Sequence, residues 1–213
     1  MFLSSQRNHD GRALVIASTI GALSSTIGAL PWYAEAEASR LFENERVIAW
    51  RFASGERAVP LVRDRRLPGV IVTLADGAVQ IVDDVNMVTT PDVAPASGVV
   101  LIGVKDHPRD RLETPFGMIP AFPREGVSRV VENDRVTVWA VSWTKGMKTP
   151  LHFHDKDVVA VYLDAGTVRS IPPSGETMAT PRLAGDTVFL LRGRAHVEEC
   201  IDGPRRDIII ELK

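Results

Sequence analysis

Residues 146–166 read GMKTPLHFHDKDVVAVYLDAG, a stretch in which two histidines precede a run of apolar residues. A single residue separates His152 from His154. In a β-strand, residues i and i+2 point to the same face, so this pair directs two imidazoles to one point. Neutral imidazole binds Zn, Fe, Ni, Cu or Mn. The stretch therefore indicates either part of a metal site or two surface histidines beside a turn.

The overall composition is that of an ordinary globular protein. The chain has 213 residues, of which 45% are hydrophobic and 24% are charged, and its formal net charge is −2. Because no basic block is present of the kind that follows phosphates, we expect no nucleic-acid partner. Cys200 is the only cysteine, which excludes an intrachain disulfide and a CxxC zinc site.

Residues 1–38 have the layout of a secretory signal. Arg7 and Arg12 precede the uncharged segment 13–30, and two overlapping AEA tripeptides at 34–38 fit the small-x-small cleavage rule. The uncharged segment is diluted by Ser, Thr and Gly, so it is a poor permanent membrane span. We therefore expect a periplasmic or secreted protein without a stable membrane span after cleavage. The alternatives are an uncleaved anchor, or an N-terminal helix of a cytoplasmic protein.

An internal repeat divides the remaining chain. Residues 43–50 read ENERVIAW and residues 132–139 read ENDRVTVW, with five of eight positions identical at a spacing of 89. A repeat of this size indicates one structural unit used twice, at 39–106 and 129–213. Chance similarity between two β-rich halves is the alternative.

Both units are rich in predicted strands. These strands cover residues 47–52, 70–74, 79–82 and 99–104 in the first unit, and 136–143, 158–163, 187–191 and 207–212 in the second. Several alternate β-branched or aromatic residues with others, as sheet strands do. Short strands joined by Gly and Pro turns predict an all-β barrel or sandwich. Residues 107–128 contain four prolines and predict an extended connector at the surface.

A third histidine completes the pattern. His196 follows a glycine-containing turn and begins a new β-prone segment. A hairpin that returns beside the His152 strand would bring His196 to the same point. Three imidazoles from two neighbouring strands leave coordination positions open, which is typical of a working metal rather than a structural one. At the equivalent positions of the first unit stand Val62 and Asp64, so that unit is predicted to be structural, packing on the second or forming a homodimer contact.

These residues resemble the cupin superfamily. Its first motif, G-x5-H-x-H-x(3,4)-E-x6-G, is similar to the segment from Gly146 through both histidines to Gly166. Its second motif, G-x5-P-x-G-x2-H-x3-N, is matched by Gly185, Gly193 and His196, with Leu191 in the proline position and Cys200 in the asparagine position. The resemblance implies a double-stranded β-helix, or jelly-roll, barrel at 129–213. The repeat extends it to a bicupin whose first unit is degenerate.

The motif glutamate is missing from this sequence. It would fall at Val158 or Val159, neither of which binds a metal. Asp157 is a candidate fourth ligand if the strand register shifts by one residue; otherwise it is a solvated turn aspartate. The resemblance implies a divalent metal, with Fe, Mn, Zn and Ni as candidates.

A second carboxylate follows the third histidine. On a strand that begins at His196, Glu198 and Cys200 share its face. Glu198 is therefore the candidate catalytic residue, as a proton acceptor or as a group that orients His196. The alternative is an exposed glutamate at a wet hairpin end. We expect Cys200 to be a small buried residue. Arg192 and Arg194 flank the turn, where they bind a carboxylate substrate or form a solvated basic turn.

Three functions are consistent with these patterns. The first is a cupin-domain protein that binds a divalent metal, and a small-molecule ligand, through His152, His154 and His196. The second is an exported metalloenzyme similar to the non-haem iron dioxygenases. The third is a structural or interaction β-barrel that holds no metal.

Overall fold

The computed structural model describes residues 38–52, 66–87 and 98–213. The predicted signal segment, apart from Ala38, lies outside the described residues, as do Val62 and Asp64. Export, cleavage and the chemistry of the first unit therefore stay predictions. Among the helices of the described part, none has the length and apolarity that would let it cross a membrane.

Strands account for most of the described residues, which include no α-helix. In the first half they are β1 (Ala38–Glu43), β2 (Val47–Phe52), β3 (Gly69–Thr73), β4 (Val79–Val82) and β5 (Val99–Val104). The second half contains β6 (Ile119–Pro120), β7 (Val127–Glu132), β8 (Val136–Trp143), β9 (His152–His154), β10 (Val158–Tyr162), β11 (Gly166–Ile171), β12 (Met178–Arg182), β13 (Thr187–Leu190), β14 (Arg194–Asp202) and β15 (Arg205–Leu212). All eight strands predicted from the sequence are confirmed, each to within two residues at its ends.

The strands form three five-stranded sheets. Sheet I has the order β1-β2-β5-β3-β4, sheet II the order β7-β8-β15-β10-β13, and sheet III the order β12-β11-β14-β9-β6. Sheets I and II have the same strand order. Strands β1 to β5 of sheet I correspond, in that order, to β7, β8, β10, β13 and β15 of sheet II. The internal repeat is therefore a repeat of structure as well as of sequence.

Equivalent side chains form the same hydrogen bonds at the ends of the two repeats. Lys105, which follows the last strand of sheet I, donates to Glu43 at 2.6 Å. Lys213, which follows the last strand of sheet II, donates to Glu132 at 2.6 Å. Lys105 also donates to the backbone carbonyl of Asn44, and Lys213 donates to the backbone carbonyl of Asn133. Such matched detail argues against chance similarity between the halves.

The repeats differ in the connection between their third and fourth strands. In the first repeat residues 74–78 join β3 to β4 as a turn. In the second repeat residues 163–186 join β10 to β13 and include β11 and β12 of sheet III. The hairpin of β11 and β12, which forms part of the wall of the C-terminal barrel, therefore has no counterpart between β3 and β4.

Two hydrophobic interfaces hold the three sheets together. Alternate residues of sheets I and II, among them Val72, Ile102, Val161 and Ile210, form one buried cluster between them. The opposite face of sheet II packs on sheet III through a second cluster that includes Trp139 and Cys200. Sheet II is thus apolar on one face towards sheet I, while its other face lines the interior of the C-terminal barrel.

The proline-rich connector does not stay at the surface throughout. Ile119–Pro120 forms β6, the edge strand of sheet III, where a proline without an N–H donor is tolerated. Ala121 and Phe122 then turn inward and are buried. The prediction of a surface connector is therefore wrong for residues 121–122. Proline content predicts the lack of a central strand, but it does not predict which side of a barrel an extended segment enters.

Candidate metal centre

Sheet III brings the three predicted histidines together. Strands β9 and β14 pair antiparallel, with His196 directly opposite His152 and Arg194 opposite His154. Because side chains two residues apart share a face of a strand, all four side chains point to the same side of the sheet. The predicted return of the His196 strand beside the His152 strand is confirmed.

The three imidazoles form one compact buried group. One ligand nitrogen from each of His152, His154 and His196 lies within 4.8 Å of the others, and all three residues are buried. The Nε2 atoms of His154 and His196 are 3.1 Å apart. Two imidazole nitrogens that share one metal ion at 2.0–2.1 Å each would be separated by about 3.0–3.4 Å. The spacing of this pair therefore suits a shared ion.

Hydrogen bonds from the far ring nitrogens fix the orientation of two of the rings. His152 Nδ1 lies 3.0 Å from the Pro150 carbonyl oxygen, which can only accept, so Nδ1 carries the proton and Nε2 keeps its lone pair. His196 Nδ1 is 2.8 Å from Ser170 Oγ. Metal-binding histidines are typically held by such contacts at the other nitrogen. His154 Nδ1 is buried and has no hydrogen-bond partner among the described residues.

Burial keeps the rings neutral. It lowers the pKa of His152 to about 4, with Glu198 opposing the shift and Arg124 adding to it. Burial also lowers the pKa of His154 well below its usual value, reinforced by Arg194, and lowers that of His196. Neutral imidazole is the form that donates a lone pair to a metal. The cluster is therefore in its ligating protonation state at neutral pH.

Arg124, which the sequence did not single out, lies against the cluster. Its guanidinium donates to His152 Nε2 at 3.0 Å and to Glu198 at 2.9 Å. The group also lies over the rings of Phe122 and Trp143, with its carbon 5.0 and 5.8 Å from the ring centroids. Its position follows from the inward turn of the connector, which no periodicity in PAFPREG indicates. The positively charged guanidinium of Arg124 therefore faces the lone pair of His152 Nε2.

Glu198 also lies at the cluster, on the same face of β14 as His196. Its carboxylate oxygens are 3.6 Å from His152 Nε2 and 3.8 Å from His196 Nε2. Burial by itself raises the pKa of this carboxyl, but the nearby positive groups, Arg124 first, outweigh it and lower the pKa. Glu198 is thus an ionised carboxylate beside the three histidines, not an exposed hairpin residue.

Asp157 is not brought to the histidines. One of its carboxylate oxygens accepts from Arg46 at 3.0 Å and from Arg109 at 3.4 Å, and the other accepts from the backbone N–H of Arg192 at 2.9 Å. Strand β10 begins at Val158, so no register shift turns Asp157 towards the centre. The predicted fourth ligand is instead the acceptor that ties three separate segments together. It is buried, not the solvated turn residue of the alternative hypothesis.

The remaining predicted residues have separate places. Cys200 is fully buried between sheets II and III, as expected of a small core residue. Arg192 donates its side chain to the Asp110 carbonyl at the connector. Arg194 donates Nε to the Leu191 carbonyl, while its Nη2 is buried without a partner in the described part of the chain.

The residues present fit a divalent transition metal. Three neutral imidazoles converge, two of their far nitrogens are anchored, and the partnerless His154 nitrogen means that hydrogen bonding within the cluster is incomplete. Within the described part of the chain the donors at this point are imidazole nitrogens and a carboxylate, a set that suits Zn, Fe, Ni or Mn and does not single out one of them.

Comparisons with known proteins describe what the chain is similar to. No family model and no curated protein matches the sequence. Among solved structures, a cupin-domain protein from Bordetella pertussis Tohama I aligns at 23% identity and a TM-score of 0.38, covering 44% of this chain and 99% of that protein. A cupin 2 conserved barrel domain protein from Leptotrichia buccalis aligns at 14% identity and a TM-score of 0.40, covering 83% and 88%.

One further similar structure is an enzyme. The polyketide cyclase RemF from Streptomyces resistomycificus aligns at 18% identity and a TM-score of 0.35, covering 51% of this chain and 78% of that protein. All three alignments have TM-scores below 0.5, so the strand order of sheets II and III and the histidine cluster between them carry the assignment. The chain is an all-β protein whose second half, formed by sheets II and III, has the cupin fold.

Proposed function

We propose that the C-terminal barrel binds one divalent transition metal through Nε2 of His152, His154 and His196. The observation that carries the proposal is the convergence of three buried, neutral imidazoles within 4.8 Å of one another. When bound, such an ion supplies Lewis-acid or redox chemistry with coordination positions open to a ligand. The chain's own residues present the lone pairs, hold the rings and place the carboxylate of Glu198 beside them.

Binding of the ion replaces the hydrogen bond from Arg124 to His152. The guanidinium occupies the direction of the His152 lone pair, so it and a metal compete for that atom. Arg124 retains Glu198 and the Ala121 carbonyl as acceptors after giving up the imidazole. The proposal therefore requires only a local displacement of one side chain.

Metal analysis of the purified protein tests this proposal. We expect about one equivalent of a divalent metal per chain, and loss of most of it in His152→Ala and His196→Ala. The matched control is His107→Ala, because His107 is an exposed histidine outside the cluster. Wild-type protein that neither retains nor takes up Zn, Fe, Mn or Ni would contradict the proposal and favour a β-barrel without a metal.

Glu198 favours a second candidate function, a metalloenzyme acting on a small molecule. An ionised carboxylate beside the histidines is placed to accept a proton from a molecule bound there. Oxygen uptake by the iron(II)-loaded protein with thiols, diketones and phenolic acids tests the oxygenase form of this function. We expect turnover in the wild type and a loss of at least about a hundredfold in Glu198→Gln with iron content unchanged. No uptake with any of these substrate classes contradicts the oxygenase form.

A further inference from the structure

The barrel interior carries more positive than negative charge around the histidines. Arg124 and Arg194 contribute two guanidinium groups, and Glu198 contributes the one carboxylate facing them. Two carboxylates buried on β15 of sheet II have cationic partners: Asp207 pairs with Arg205 at 2.9 Å, and Glu211 pairs at 3.4 Å with Lys156 of the loop before β10. Among these named groups the excess is one positive charge, and a divalent ion would add two more. Charge buried without a counter-charge is costly, so this site is suited to an anion.

Arg194 has one guanidinium nitrogen without a hydrogen-bond partner among the described residues. It faces the interior on the same side of β14 as His196 and Glu198, directly opposite His154 in the strand register. Its Nε donates to the Leu191 carbonyl at 2.9 Å, which holds the guanidinium in place. Its Nη2 is shielded from solvent and bonds to no described residue. A buried N–H donor without an acceptor indicates a missing partner beside the histidines.

The surroundings of the histidines are aromatic as well as charged. Phe122 lies edge-on to His154 with ring centroids 6.0 Å apart, and it stacks on Trp139 at 5.5 Å. Burial raises the pKa of Tyr162, which stays an uncharged ring. Aromatic walls suit an apolar body, whereas a free phosphate has none. The combination favours an organic acid over an inorganic anion.

We infer that the ligand of this barrel is a small organic carboxylate, whose charged end is held by Arg194 beside the three histidines and whose apolar body lies against the aromatic wall. A guanidinium matches the planar carboxylate with parallel N–H donors. The inference builds on the proposed function, because the metal supplies part of the charge. Arg194 is the specificity-determining residue, distinct from the metal ligands.

Isothermal titration of the zinc-loaded protein with benzoate tests the inference. We expect benzoate to bind at least about tenfold more tightly than benzamide, its neutral isostere, and more tightly than inorganic phosphate. Arg194→Gln should weaken benzoate binding about tenfold or more while the zinc content stays at the wild-type value. Arg194→Lys keeps the charge but loses the planar arrangement of N–H donors. Its affinity for benzoate should therefore lie between those of the wild type and Arg194→Gln.

The matched control is Arg129→Gln, an exposed arginine on β7 whose loss should leave benzoate binding unchanged. Equal affinity for benzoate and benzamide, no binding of benzoate, or an unchanged benzoate affinity in Arg194→Gln overturns the inference. Tighter binding of phosphate overturns the organic class. If the protein takes up none of Zn, Fe, Mn and Ni, the proposed function fails by itself. The same titration of the metal-free protein still tests Arg194, whose guanidinium is present without the ion.

Discussion

At the scale of single residues, the centre is defined by which atoms already have partners. The far nitrogens of His152 and His196 are anchored, whereas Nδ1 of His154 and Nη2 of Arg194 are not. Anchored atoms fix the direction of the lone pairs, and partnerless atoms show where hydrogen bonding is incomplete. Both kinds lie on the same face of sheet III, which concentrates the chemistry at one point.

Arg124 places a positive charge against the histidine cluster. Its guanidinium is a positive charge within hydrogen-bond distance of His152 and donates to the lone pair that a metal needs. We predict that Arg124→Met, which keeps an apolar chain against Phe122 and Trp143, increases zinc affinity by about tenfold or more, because it removes both the competing donor and the repelling charge. Competition titration with a chromogenic chelator measures the change.

The control for Arg124 is Arg206→Met, which removes an exposed arginine that pairs with Asp164 and is not part of the histidine cluster. It should leave zinc affinity unchanged. A fall in zinc affinity in Arg124→Met would contradict the competition between guanidinium and metal. It would instead indicate that Arg124 supports the metal-binding arrangement of Glu198.

At the scale of elements, Asp157 links three segments that are distant in sequence. Arg46 precedes β2 of the first repeat, Arg192 precedes β14, and Asp157 lies between β9 and β10. The Arg46–Asp157 pair is buried on both sides, with side-chain exposures of 2% and 0%. Arg46 also donates to the Lys213 carbonyl at the end of β15. This pair therefore ties sheet I to the strand ends of the C-terminal barrel.

Asp157→Asn separates a structural role from a ligand role. We predict that it lowers the free energy of unfolding by about 3 kcal/mol, because it leaves the Arg46 charge buried without a counter-charge. Zinc content should stay at the wild-type value. Urea denaturation with metal analysis of the same samples checks both expectations.

The control for Asp157 is Asp164→Asn, which breaks a partly exposed pair with Arg206 and should cost under about 1 kcal/mol. Loss of zinc from Asp157→Asn at unchanged stability would reverse the assignment. Asp157 would then be a metal ligand, as the sequence alone suggested.

At the scale of the whole molecule, the first repeat covers the second. Sheet I packs its apolar face on the outer face of sheet II, whose inner face lines the interior of the C-terminal barrel. Sheet II is thus shared by two cores. Such an arrangement makes the described part of residues 38–213 one cooperative structure rather than two independent barrels.

Truncation of Ile102 in the first repeat tests this cooperativity. Ile102 has no exposed surface and lies in the cluster between sheets I and II. We predict that Ile102→Ala lowers the stability of the whole chain by about 2–5 kcal/mol, because it opens a cavity in the shared core. Zinc release and tryptophan fluorescence should change together in one transition.

Leu191→Ala is the control, because Leu191 is 58% exposed and its loss should change stability by less than about 0.5 kcal/mol. Two separate transitions in Ile102→Ala, with zinc released only in the second, would contradict the cooperativity. The repeats would then be independent units.

The sequence by itself determined the strands, the repeat and the three histidines. Alternating β-branched residues, Gly and Pro turns, and the His-x-His spacing are local patterns, and the physics they express acts within a strand or a turn. The side of β14 on which Glu198 lies followed from the same period of two. These expectations are confirmed because no distant contact overrides them.

Only the tertiary structure decided the partners of Asp157 and Arg124 and the position of Arg194 beside the histidines. Asp157 turned from the histidines to Arg46, a residue 111 positions away in the sequence. Arg124 reached the centre because the connector passes inward after β6, and Arg194 lies beside His154 because β9 pairs with β14. Long polar side chains take whichever partner the assembled sheets bring within about 3 Å, and that choice depends on contacts between segments far apart in the chain.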